Sequence, residues 1–179
     1  NGDLDLALES LRGFLTLMPE APDPSVLARL ALLEEAVELD RAVTEDPSEE
    51  NLLALADAYW RAGDRENAVG IYFDILTGSN PTSAVALART GEAMLIAGSS
   101  QDAVALLERA ATAAGSLAGL EPASVLALAN AHFSLAQYQQ AADVYRTFIG
   151  MVGEAQAGTA PTLLESAEAL AAGLPDPNQ

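Results

Sequence analysis

Leu and Ala recur along most of the chain at three- and four-residue spacing, the period of a helix that buries one face. Prolines and glycines interrupt this pattern at regular intervals. Pro24, Pro47, Pro81, Pro122 and Pro161 stand where helices should begin, because the first helical position needs no N–H. Asp23, Asp46 and Asn80 precede three of them as candidate N-caps, and Glu49 follows Asp46 by three residues in a capping-box arrangement. Gly63, Gly78, Gly98, Gly115, Gly150 and Gly173 stand where helices should close. The pattern predicts nine helices, near 3–17, 24–45, 48–62, 65–77, 82–97, 100–114, 122–135, 138–150 and 160–172. Short turns between them predict antiparallel helical hairpins. Residues 175–179, rich in proline, read as a disordered tail.

Composition supports an all-α fold. Half of the 179 residues are apolar, mostly Ala and Leu, which favour helices, and β-branched residues are sparse.

An internal repeat sharpens this picture. Leu52, Leu55-Ala56, Tyr59, Gly63, Ala68 and Tyr72 are matched in spacing by Leu87, Thr90-Gly91, Met94, Gly98, Ala103 and Leu107. Val125, Leu128-Ala129, His132, Ala136, Ala141 and Tyr145 form the third copy. The pattern returns after 35 residues (63 to 98) and then 38 (98 to 136). Small residues at 56, 91 and 129 should let the two helices of a hairpin approach closely, with 68, 103 and 141 as the matching small sites. Tyr59, Met94 and His132 should fill the space one turn later.

This pattern resembles the tetratricopeptide repeat (TPR), a helical hairpin of about 34 residues. The resemblance implies hairpins stacked into a solenoid, a right-handed superhelix whose inner face is lined by the first helix of each hairpin. It implies three hairpins over residues 48–151. Residues 1–47 are expected to form an irregular half repeat and a long helix, residues 152–174 a capping helix. Gly2, Ala7, Leu11, Phe14 and Pro19 match the second helix of a preceding repeat whose first helix is absent. No Gly or Pro breaks 25–45, so one hairpin should be fused into a single long helix there. Ser166, Ala169 and Gly173 match a first helix without its partner.

The resemblance also implies a protein-binding groove. Trp60, Leu95 and Phe133 follow the core positions as an apolar stripe, beside Asp57, Glu92 and Asn130 one turn away, with Arg61 and Arg89 between. Trp and Arg are frequent anchors in interfaces. The same side chains could instead pack between neighbouring first helices. The Lys, Asn and Arg that grip acidic peptide termini in chaperone-binding relatives are reduced here to Asn130 and Arg89, so an acidic terminus should bind poorly. The resemblance suggests a bacterial assembly or envelope complex, by analogy alone. The alternative is a structural module for self-association through the half repeat, or a regulatory domain of a longer protein. The start at Asn1-Gly2, without Met, points to a fragment.

Charge narrows the partner class. Twenty-six acidic side chains face eight basic ones, all Arg, for a net charge of −18. Such a chain repels nucleic acid and anionic membrane and prefers apolar or basic protein partners. The same balance also fits a GC-rich genome with an Ala/Arg bias.

Candidate chemistry is thin. His132 is the only histidine and falls on the packed face; with no Cys, there is no partner for a zinc site or triad. Asp23, Asp46 and Glu49 are read as caps; Glu34, Glu35, Glu38 and Asp40 belong on the solvated face of the long helix. Gly150, Gly153 and Gly158 follow no strand, so they form no phosphate cradle. No enzyme activity, cofactor or metal is expected. No apolar run approaches the roughly 18 residues of a membrane span. The compartment is left open, between cytoplasm and a soluble domain of an anchored or exported protein.

Overall fold

The computed structural model describes residues 2–17 and 23–178. These residues form helices without strands: α1 (Gly2–Leu17), α2 (Pro24–Glu45), α3 (Glu49–Ala62), α4 (Arg65–Thr77), α5 (Ala84–Ile96), α6 (Ser100–Ala113), α7 (Pro122–Ser134), α8 (Tyr138–Val152) and α9 (Ala160–Ala171). They pack as a repeat-like, TPR-type arrangement of neighbouring helices. The chain divides into two compact units, residues 1–80 and 81–179.

In the first unit, α2 runs unbroken for 22 residues, as the lack of Gly and Pro after Pro24 predicts. Asp23 caps it by accepting from the Ser25 N–H, and that bond holds the carboxyl below its ordinary pKa. Glu34 pairs with Arg12 of α1 and Glu35 with Arg61 of α3, each at 2.7 Å. Two of the acids assigned to a solvated face therefore join helices. The α3–α4 hairpin closes through Gly63 at φ +84°, a left-handed conformation that costs glycine little. Its core is Leu55, Ala56, Ala68, Tyr72 and Ile75, all buried.

In the second unit, hairpins α5–α6 and α7–α8 pack through α5, α6 and α7, and α9 lies on α8. The small positions behave as the repeat predicts. A Cβ added to Gly91 would stand 2.7 Å from Leu107 Cγ and 3.3 Å from the Ala103 carbonyl oxygen. Ala129 and Ala141 are fully buried at the equivalent contact of α7 with α8. Ala136 replaces the glycine of the other two turns yet holds φ +56°. His132 is 5% exposed, with Nδ1 2.6 Å from Gln137 Oε1, as a core histidine.

Several local expectations are corrected. Asp46 does not cap the third helix: it ends α2, its N–H bonding the Ala42 carbonyl. Ser48 caps α3 instead, which displaces Pro47 from the first helical turn and leaves Glu49 outside a capping box. Asn80 and Pro81 do not open α5. Asn80 donates its backbone N–H to the Ile75 carbonyl and its side chain to Glu49 Oε1, while Ser83 takes the cap position. Gly150 lies inside α8, which closes two residues later through Gly153 at φ +80°. The tail is bonded down: Ser166 Oγ donates to Asp176 Oδ1 at 2.7 Å, and the Asn178 amide donates to Ser166 Oγ and the Thr162 carbonyl. Pro19 lies outside the described residues.

Candidate functional site

On α3, Tyr59 is half-buried, its hydroxyl pKa raised by burial and by the charges of Asp40 and Asp64. Asp57 accepts a hydrogen bond from the hydroxyl of Tyr72 on α4. Trp60 is half-buried too. Tyr72 meets its ring edge-on at a 6.4 Å centroid distance, and the Arg65 guanidinium lies 4.0 Å from its centroid. Arg61 is exposed and bound to Glu35, which raises its pKa further.

On α5 and α7 the equivalent positions carry different side chains. Asn130 Oδ1 accepts from Tyr145 Oη at 2.7 Å, in the geometry of the Asp57–Tyr72 pair. Burial pushes the Tyr145 hydroxyl up to about 12. Leu107 replaces the tyrosine in the middle hairpin, so Glu92 needs another donor. It finds Ser124 of α7, whose Oγ stands 2.6 Å from Glu92 Oε1. Arg89 adds contacts at 3.2 and 3.3 Å and reaches Glu121 at 2.7 Å. Glu92 is only 8% exposed, so this network joins α5 to α7 inside the unit. Leu95 and Phe133 are half-buried; Phe133 meets Tyr138 edge-on at 5.4 Å.

The polar stripe is thus engaged within the fold: Asp57, Glu92 and Asn130 each accept from a named donor. Trp60, Leu95 and Phe133 each keep part of their surface in solvent. One signal for the polar partners lies in the sequence. Tyrosine stands 15 residues after Asp57 and Asn130, and leucine stands at that distance from Glu92.

A feature the residue pattern did not single out lies in the first unit. A groove of about 700 Å³ opens between α1, α2 and the α3–α4 turn. Leu11, Phe14, Leu33 and Tyr59 line it, with Arg29 and Asp64 at its polar parts. Among the described residues no group of His, Cys, Asp and Glu is arranged to hold a metal ion, and no helix is long and apolar enough to cross a membrane.

Residues 52–82 match the family model of the tetratricopeptide repeat, which coincides with the α3–α4 hairpin. The match falls on the hairpin where the spacing of Leu52 through Tyr72 implies such a repeat, and supports the resemblance there. No curated protein matches the chain. Repeats of this family are typically non-catalytic modules that bind proteins, and the match suggests a protein–protein interaction scaffold in general terms.

Proposed function

We propose that the chain is an adaptor whose first helices bind an extended or helical segment of partner protein, at α3 in the first unit and at α5 and α7 in the second, each unit taken by itself. Trp60, Leu95 and Phe133 are the apolar anchors of this reading. Asp57, Glu92 and Asn130, with Arg61 and Arg89, form the polar border that fixes their orientation. The observation that carries it is local and repeated: at the same register on α3, α5 and α7, a large apolar side chain (Trp60, Leu95, Phe133) stays half-buried, directly after half-buried Tyr59 and Met94 and buried His132. Side chains of this kind, held by packing on one flank, lose little entropy on binding.

The net charge of −18 supports a preference for apolar segments with basic character. A place in a bacterial assembly or envelope complex belongs to the same reading. A photo-crosslinking side chain at Leu95 should capture a discrete partner in an extract, and raised salt should weaken the capture. Capture that is equal from Leu95 and from exposed Phe73 on the second helix α4 would contradict the assignment.

A further inference from the structure

The repeat spacing grows in the connection between α6 and α7. Gly63 to Leu87 spans 24 positions, and Gly98 to Val125 spans 27. The longer connection contains a 3-10 turn, Leu117–Gly119, followed by buried Leu120. The Gly119 N–H donates to the Ser116 carbonyl and the Leu120 N–H to the Leu117 carbonyl. A Cβ at Gly119 would stand 2.7 Å from the Ala114 carbonyl oxygen, so glycine lets the turn close down on the end of α6.

Gly119 and Leu120 line a pocket of about 80 Å³ within the second unit, together with Ala84, Val85 and Ala88 of α5 and Ser124 of α7. The lining is small, with two alanines and a glycine, which leaves the space open. It is also preformed. Ala88, Leu120 and Ser124 are buried, and Ser124 is held by its bond to Glu92. Val85 is 44% exposed and adds apolar surface. A cavity that holds a benzene ring is about 150 Å³. The pocket therefore suits one aliphatic side chain and excludes an aromatic one.

Arg89 and Glu121 complete the lining, and their charges identify the neighbour of that side chain. Arg89 touches Glu92 at 3.2 and 3.3 Å and Glu121 at 2.7 Å. One guanidinium thus stands between two carboxylates, and Glu121 keeps 66% of its side chain exposed. An incoming anion would have to displace Glu121 from Arg89. A cation meets Glu121 with that pair intact. Among the described residues of this unit each arginine is already engaged: Arg109 donates to the Pro81 carbonyl, and Arg146 pairs with Asp143 and Glu168.

We propose that this pocket selects the segment bound by the second unit: it takes one aliphatic side chain, and a Lys or Arg beside that side chain meets Glu121. This rests on the reading of α5 and α7 as the binding surface of the unit, with Arg89 common to both. It adds which segment is chosen and turns away segments whose residue at that place is aromatic or whose neighbouring charge is acidic.

A display library of short random peptides, selected on the intact chain, tests this. It should enrich peptides in which Val, Ile or Leu stands close to a Lys or Arg. Calorimetric titration of one enriched peptide then reads each contact. Ala84→Phe fills the pocket from a half-buried position at the start of α5 and should weaken binding about tenfold or more. Glu121→Lys should weaken it about tenfold, and exchanging the peptide's base for Glu should restore it. Glu121 makes no side-chain cap bond to α7, and circular dichroism checks that both variants keep their helices. On the peptide side, replacing the aliphatic residue by Gly or Trp should weaken binding as much, with the protein unchanged. No enrichment, enriched peptides with a fixed acid in place of the base, or indifference to either Ala84→Phe or Glu121→Lys would overturn the proposal. Such indifference together with loss from Leu95→Ala/Phe133→Ala would strike the pocket alone and leave the wider binding surface standing. Loss from Ala84→Phe and Glu121→Lys, with binding kept by Leu95→Ala/Phe133→Ala, would uphold the pocket and contradict the wider surface.

Discussion

Tyr145 Oη donates to Asn130 Oδ1 across the α7–α8 hairpin, and Tyr72 makes the same bond to Asp57 across α3–α4, each pair 15 residues apart. The pairing ties a position read as groove-lining to the interior of its own hairpin. Tyr145→Phe removes the donor and leaves Asn130 Oδ1 without it. The cost should be about 1 kcal/mol in urea unfolding. The loss also has a pH signature. The hydroxyl titrates near 10 when unfolded and at about 12 when folded. Below pH 10 both states keep the proton; between 10 and 12 only the folded state does, so this group makes stability fall as pH rises. The advantage of wild type over Tyr145→Phe should therefore shrink across that window.

The Glu92–Ser124 bond predicts a different outcome in the middle of the second unit. Ser124→Ala leaves the buried Glu92 with Arg89 as its named partner and should cost about 1–3 kcal/mol. Glu92→Ala takes an acceptor from both Ser124 and Arg89, but Arg89 keeps Glu121, so its cost should be about 2 kcal/mol rather than that of an isolated buried charge. A double-mutant cycle in chemical denaturation measures the coupling, which should be non-zero.

Two substitutions of the smallest side chains should act in opposite directions. Gly91→Ala drives a Cβ to 2.7 Å from the fully buried Leu107 and should destabilise by about 1–2 kcal/mol, even though alanine favours a helix. Ala136→Gly relieves a left-handed alanine and should stabilise by about 1 kcal/mol. Thermal melts of the two variants check the signs.

The helices were legible because each apolar run is bounded by Gly or Pro; even the long α2 followed from the absence of both. The misses fall where several capping residues stand in a row. Asp46, Pro47 and Ser48 offer two caps, and the α2 C-terminus claims Asp46, so Ser48 reaches the Asn51 N–H. At Asn80–Ser83 the C-terminal bond to Ile75 and the bond to Glu49 take Asn80, and α5 starts later. The tail looked polar and free because nothing local shows that Ser166, a buried hydroxyl ten residues earlier, needs an acceptor. In the candidate site the register of Asp57, Glu92 and Asn130 was legible, but the donors Tyr72, Ser124 and Tyr145 come from other helices.

The central claim is that the first-helix positions bind a partner protein. Affinity capture from native extract, quantified for the wild-type chain, the Leu95→Ala/Phe133→Ala variant and Phe73→Ala, tests it most directly. Trp60→Ala serves as a fourth arm, read together with its unfolding curve because Tyr72 and Arg65 pack on that ring. The account predicts that a partner retained by wild type and by Phe73→Ala is lost from Leu95→Ala/Phe133→Ala, with helicity unchanged. Equal capture by all of these chains would contradict it.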